Sequence, residues 1–132
     1  MPVGASLVGV GADLVDLDRF RRVMARTPSI TERLFTEQEQ AYARSRRDPC
    51  ERFGARFAAK EATMKVLGVG LGQVRFRDLE VTRLASGQPV LELHGSAAEL
   101  ARGQGITGWM VTLTHTAHLA QAVVVGLGSS PP

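Results

Sequence analysis

The chain has 132 residues, 44% hydrophobic and 22% charged, with a formal net charge of +3. That length supports one domain with a core of its own, and the composition excludes a disordered polyelectrolyte. One cysteine, Cys50, excludes an internal disulfide and fits a reducing compartment, so a cytoplasmic protein is expected.

No apolar run approaches the roughly 20 residues of a membrane span. The first residues lack a basic segment followed by a long apolar run, so no signal peptide is expected. The basic balance favours an anionic partner: nucleic acid, a phosphate ligand or an acidic protein.

Ser6 to Val15 reads as a strand. Leu7, Gly9, Gly11, Asp13 and Val15 point one way, and Val8, Val10, Ala12 and Leu14 point the other. The second face is apolar. The first carries two glycines and then a carboxylate, which leaves room for something to approach the backbone. The bland alternative is an aspartate that starts a turn. A helix from about Asp16 to Arg26 follows and stops at Thr27-Pro28. Leu17, Phe20 and Met24 form its buried stripe. Arg19, Arg22 and Arg26 line one exposed face, and Arg21 points elsewhere. That basic stripe is either a solvated face or a docking surface for an acidic partner.

Ser29 to Phe35 reads as a turn with a short helical piece. Thr36-Glu37-Gln38-Glu39 is a capping box, which predicts a helix from Glu37 to about Ser45. Arg46-Arg47-Asp48-Pro49 breaks it. The central helix runs from about Glu51 to Leu67, alanine-rich and capped by Gly68. Phe53, Phe57 and Met64 share one face; Ala55, Ala58, Ala59, Ala62 and Val66 fill a second. A helix with two apolar faces is mostly buried. Glu61 and Lys65 lie in the strip between, where charges are costly unless paired or bound to an ion. The plain reading is an ordinary Glu-Lys helix pair.

Gly68-Val69-Gly70-Leu71-Gly72 follows a helix and not a strand, so it is not a dinucleotide fingerprint. It is a helix cap with a loop, or a set of N–H groups opened toward phosphate. Leu79 to Leu84 and Val90 to Leu93 form a hairpin. Ser96 caps a short helix to about Arg102. Trp109 to His115 and His118 to Leu127 form the last antiparallel pair, and Gly128 to Pro132 is a frayed tail. The order β-α-α-α-β-β-α-β-β predicts a single α+β domain over residues 1–128, with helices packed on a mainly antiparallel sheet and 129–132 a disordered tail.

Of the three histidines, His94 ends a strand and is structural, and His115 sits where one strand gives way to the next. No Cys/His cluster has zinc spacing, and no nucleophile elbow or P-loop occurs. Hard-metal ligation by carboxylates stays open, since Mg²⁺ needs only one or two of them when phosphates and waters complete its octahedron. Asp13 and Glu61 are the candidates.

Three blocks together resemble holo-acyl-carrier-protein synthase, the small stand-alone type of 4′-phosphopantetheinyl transferase. They are Gly9-Val10-Gly11-Ala12-Asp13-Leu14-Val15, Arg56-Phe57-Ala58-Ala59-Lys60-Glu61-Ala62-Thr63-Met64-Lys65, and Thr112-Leu113-Thr114-His115-Thr116. The resemblance implies transfer of phosphopantetheine from coenzyme A to a serine of an apo acyl carrier protein, with release of adenosine 3′,5′-bisphosphate. It implies catalytic roles for Asp13, Glu61 and Lys65, with Mg²⁺ on Asp13 and Glu61. Lys65, His115, Arg56 and Gly68 become the coenzyme A-binding set, and Arg19, Arg22 and Arg26 the carrier-docking face. It also implies a homotrimer with sites between subunits, in the cytoplasm and in lipid metabolism. The general base, Glu61 or a metal-bound water, is left open, as is the carrier, fatty-acid or polyketide. Thr112 and Thr114 keep hydroxyls the family often has there; at Ala117 the resemblance would equally admit a polar or charged residue, which leaves open what that position contributes to coenzyme A binding.

The contrasting reading is a small basic nucleic-acid-binding module. Five Phe, one Tyr and one Trp oppose a base-stacking platform, and no RNP, KH or zinc-finger signature appears. A non-catalytic carrier-binding subunit would need the arginine stripe but not Asp13, Glu61 and Lys65 together.

Overall fold

The computed structural model describes residues 4–129. Its elements run β1 (Ala5–Asp16), α1 (Leu17–Arg26), α2 (Ile30–Leu34), α3 (Glu37–Arg44), α4 (Pro49–Leu67), a short 3-10 turn (Phe76–Asp78), β2 (Leu79–Arg83), β3 (Pro89–Leu93), α5 (Gly95–Gly103), β4 (Gly108–His115) and β5 (Leu119–Ser129). The order expected from sequence is present, with the short piece ahead of the capping box as α2. Three local expectations are corrected. Helix α4 starts at Pro49 and not at Glu51, because Asp48 caps it by accepting from the Cys50 N–H. Proline fits the first turn, where its missing N–H has no intrahelical partner anyway. Helix α5 starts at Gly95 with His94 at its N-cap and no side-chain cap, so Ser96 is not the capping residue. Gly128 and Ser129 are not frayed: they pair with Ser6 and Ala5 at the end of β5. Residues 130–132 of the expected tail lie outside the described residues.

Strands β1, β5 and β4 form an antiparallel three-stranded sheet in that order, and β2–β3 form a separate hairpin. Helix α4 packs its small-residue face on one side of the larger sheet, with Ala58 and Ala62 fully buried. The glycines of β1 make this possible. A Cβ added at Gly11 would lie 2.1 Å from the Ala62 carbonyl oxygen, and one at Gly9 would lie 3.2 Å from Val66 Cγ1. The group that approaches the strand backbone is therefore helix α4 itself. The opposite face of the sheet is open. Val8, Val10 and Leu14 of β1 are exposed, as are Leu119 of β5 and Met110 of β4, and Val10 and Met110 flank Val125 in register. Leu7, expected on the glycine face, is exposed beside a register shift between Leu7 and Gly9.

The other side of α4 packs aromatically. Phe53 meets Phe35 at 4.8 Å between ring centroids, and Phe57 stacks on Phe76 at 5.7 Å. Between these rings the helix buries a charge. Lys60 is 0% exposed and donates to Glu39 Oε1 (2.8 Å), the Phe76 carbonyl (2.9 Å) and the Leu79 carbonyl (2.8 Å). All three ammonium protons are used. Glu39 is the capping-box residue: its Oε1 also accepts from the Thr36 N–H, and its Oε2 accepts from the Val81 N–H. Burial lowers the Lys60 pKa and Glu39 opposes that shift.

Removing one member of such a pair strands the other, at a cost of about 3–5 kcal/mol. Lys60→Met should therefore lose about that much stability in urea denaturation. Lys60→Met with Glu39→Gln should recover part of it. A double variant as unstable as the sum of the singles would show that the two groups are not coupled.

Candidate active site

The contact between Gly11 and Ala62 places two carboxylates together. Asp13 is two residues along the same strand face, and Glu61 precedes Ala62 on the helix. Both line one cleft of about 500 Å³, walled by Phe20, Val23 and Phe57. Asp13 lies three residues short of the strand end. The residue that starts the next element is Asp16, whose side chain accepts from the Arg19 N–H as the N-cap of α1.

Lys65 does not form the expected pair with Glu61. Its ammonium donates instead to the Ala12 carbonyl (2.9 Å) and to Asp13 Oδ1 (3.2 Å). Burial pushes the Glu61 carboxyl above its ordinary value, the Asp13 charge adds to the shift, and Lys65 opposes it. Two carboxylates thus share a half-buried cleft with one partly exposed ammonium. An all-oxygen donor set with excess negative charge fits a hard divalent cation such as Mg²⁺.

A second cleft, of about 450 Å³, lies elsewhere on the chain and has the opposite sign. Arg52, Arg56, Arg83 and His115 line it with Tyr42. Arg56 is only 3% exposed and lies 4.3 Å over the Tyr42 ring, and Arg83 lies 4.0 Å from the same ring. Cation–π attraction to one ring holds both guanidinium groups near it despite their like charge. Burial lowers the Arg56 pKa, with Tyr42 and Glu39 opposing. Arginine stays charged regardless. Arg56 Nε is buried with no hydrogen-bond partner among the described residues. His115 Nε2 lies 2.7 Å from Glu51 Oε2.

The residues expected from sequence are thus divided. Asp13, Glu61 and Lys65 meet at the acidic cleft, whereas Arg56 and His115 belong to the arginine cleft. Gly68 caps α4 with φ 71° and lines neither. Arg19, Arg22 and Arg26 are exposed on α1, and Arg19 also borders the acidic cleft. Arg21 turns away from them to bind Asp48 and Asp18. Sequence reasoning missed Arg52, Arg83 and Tyr42. They come from three elements and share no periodicity that could have flagged them.

Two other groups do not form the site. Glu80, Glu92 and His94 place ligand-type atoms within 4.8 Å of one another on the hairpin. Both Glu80 oxygens are engaged there, by the Thr36 hydroxyl (2.6 Å) and by His94 Nε2 (2.9 Å). Cys50 is buried and its thiol is pushed up to about 11, so it offers no thiolate nucleophile near neutrality.

The chain resembles known proteins along nearly its whole length. The holo-[acyl-carrier-protein] synthase of Frankia casuarinae is 47% identical over 120 residues, covering 91% of this chain and 97% of that protein. The synthase of Streptomyces avermitilis is 42% identical, covering 93% and 99%. Among solved structures, the acyl carrier protein synthase of Mycobacterium tuberculosis matches with a TM-score of 0.71 at 32% identity, covering 94% and 99%. A holo-(acyl-carrier-protein) synthase from Bacillus anthracis in complex with CoA (3′,5′-ADP) matches at 0.77 and 30% identity, covering 93% and 98%. The model of the 4′-phosphopantetheinyl transferase superfamily matches residues 9–114, the span from β1 into β4 that holds Asp13, Arg56, Glu61 and Lys65, and the chain is a member of the holo-acyl-carrier-protein synthase family of that superfamily.

Proposed function

We propose that this chain transfers 4′-phosphopantetheine from coenzyme A to a serine of an apo acyl carrier protein and releases adenosine 3′,5′-bisphosphate. The observation that carries the reading is the Asp13–Glu61 pair, held by backbone contact between β1 and α4. The serine hydroxyl gives its proton to a base as its oxygen forms a bond to the β-phosphorus, and the bridging P–O bond breaks with its electron pair leaving on adenosine 3′,5′-bisphosphate. A Mg²⁺ bound by Asp13 and Glu61 would neutralise charge on the pyrophosphate, the need that dominates phosphoryl transfer. Lys65, parked on Asp13 in the free protein, is more than half exposed and can turn its ammonium to the leaving phosphate. Phe20, Val23 and Phe57 keep one side of that cleft apolar and restrict water. The nucleophile arrives on the carrier, which accounts for a site built without a nucleophile of its own.

The arginine cleft is the counterpart for the nucleotide end of coenzyme A, with Arg56 and His115 as its phosphate-facing groups. One chain separates this cleft from Asp13 and Glu61, which supports a site completed between neighbouring subunits. The open apolar sheet face of Val8, Val10, Leu14 and Met110 supports a homotrimer in the same way, since contiguous apolar surface of this kind marks an interface. We place the enzyme in the cytoplasm, serving a fatty-acid or polyketide carrier. Among the described residues no helix is long and apolar enough to cross a membrane.

Asp13→Asn and Glu61→Gln should each cut turnover at least about 100-fold through lost charge stabilisation. Incubation with coenzyme A, Mg²⁺ and an apo carrier, followed by intact mass, reads the added phosphopantetheine. Near-normal transfer in both variants would exclude the pair as the reacting centre. Light scattering should give three times the 14.2 kDa chain mass. Val10→Glu, which places a charge on the open face, should dissociate the trimer and abolish transfer; a fully active monomer would remove the shared site. Arg26→Glu should raise the KM for the carrier and leave that for coenzyme A unchanged. The effect should be largest at low salt, since exposed charges are screened over about 8 Å at physiological strength. An unchanged carrier KM at low salt would move docking away from α1.

A further inference from the structure

Lys65 follows Glu61 by one helical turn, yet its ammonium reaches across to β1. It donates to the Ala12 carbonyl at 2.9 Å and to Asp13 Oδ1 at 3.2 Å, which uses two of its three protons. The lysine side chain is 56% exposed and that of Asp13 only 20%. An exposed, flexible cation thus rests on a carboxylate that is largely covered. Among the described residues Asp13 has no other ion-pair partner and Glu61 has none. Arg19 borders the same cleft and pairs with neither.

Charge decides whether that contact can persist. With both carboxylates ionised and one ammonium between them, the cleft is anionic. A divalent cation on the two carboxylates, with Lys65 still in place, makes it cationic. The ammonium then shares its carboxylate with a dication. Repulsion between the two is strong at contact distance and weakens once the ammonium turns out into water. Lys65 is more than half exposed on a flexible four-carbon stem, so little opposes that turn. A diphosphate that enters the cleft then meets two cations, one on the carboxylates and one released from them.

We propose that Lys65 is the exchangeable counter-ion of Asp13: it holds the carboxylate until a divalent cation displaces it, and the displacement frees its ammonium for a phosphate. This rests on the phosphopantetheinyl-transfer reading above and adds a competition and an order of events to it. Lysine and metal oppose one another on Asp13 and act together on the diphosphate. Loss of the lysine should therefore tighten metal binding while it slows transfer.

Two measurements on the intact protein, without coenzyme A or carrier, test this. The first is Mn²⁺ affinity, read from the electron paramagnetic resonance signal of the free ion. Lys65→Met keeps the length of the side chain and removes its charge, and should bind Mn²⁺ about tenfold more tightly than wild type. Arg19→Gln removes a cation that touches neither carboxylate and should change the affinity by less than about twofold. The second is the NMR signal of the Lys65 Cε–Hε group, identified by its absence from Lys65→Met. Titration with Mg²⁺ should move it toward the position of a solvated lysine. In Asp13→Asn it should start near that position and not respond. Mn²⁺ binding no tighter in Lys65→Met than in wild type would overturn the proposal. So would an equal gain in Arg19→Gln, which assigns the effect to the general field, and so would a Lys65 signal that Mg²⁺ leaves in place. Undiminished Mn²⁺ binding in Asp13→Asn with Glu61→Gln would overturn the proposal together with the metal assignment. Exchange seen by both measurements in a protein that transfers no phosphopantetheine would count against the transferase reading and leave the exchange standing.

Discussion

A single buried ammonium sets the rotation of the helix on which everything else is mounted. Lys60 binds α3 through Glu39, β2 through the Leu79 carbonyl and the 3-10 turn through the Phe76 carbonyl. Each of these partners is fixed in turn, because Glu39 closes the capping box of α3 and also accepts from Val81. Successive helix residues are about 100° apart, so holding Lys60 inward on the α3 side turns Glu61 toward β1. Arg56, one turn before Lys60, is delivered to the Tyr42 stack by the same setting. Such a pair gives little net stability against an apolar substitute. Its value here is orientation, since an apolar side chain would pack at several helix rotations.

The two clefts have opposite electrostatic character for reasons that lie in their neighbours. At the first, the close approach of β1 and α4 brings Asp13 and Glu61 to one cleft, with Arg19 at its border. Lys65, from one turn beyond Glu61, is the cation that reaches Asp13 there. At the second, a single phenol ring lets Arg46, Arg56 and Arg83 gather within 5 Å of its centroid. One cleft thus offers carboxylates to a cation, and the other offers fixed cations to an anion.

Much of this was legible in the sequence because it is local. The capping box, the Gly68 cap, the two faces of α4 and the order of elements all follow from spacing within one segment. What was hidden depends on segments meeting. The alternation of β1 showed two faces but not which one is covered; the glycine face is chosen because the small-residue face of α4 docks on it. Glu61 and Lys65 looked like partners at helical spacing, yet Asp13 on another element is nearer to the ammonium. Lys60 and Glu39 are 21 residues apart, and nothing local distinguishes either from a surface charge. Ser96 had the composition of a cap, but Gly95, at φ 54° beside the Asp78 carboxylate, already begins the helix.

The pairing of β1 with β5 has a consequence for how the protein is made. Within its sheet the strand that bears Asp13 has one neighbour, and the pairing runs from Ala5 with Ser129 to Asp16 with Leu119. These are contacts between the two ends of the described chain, of the non-local kind that folds slowly. During synthesis α4 emerges well before β5, so Glu61 and Lys65 have a helix to sit on while Asp13 still lacks its sheet. Asp13 and Glu61 are therefore brought together only after β5 leaves the ribosome, and a nascent chain, however helical, does not yet hold the two carboxylates in one cleft.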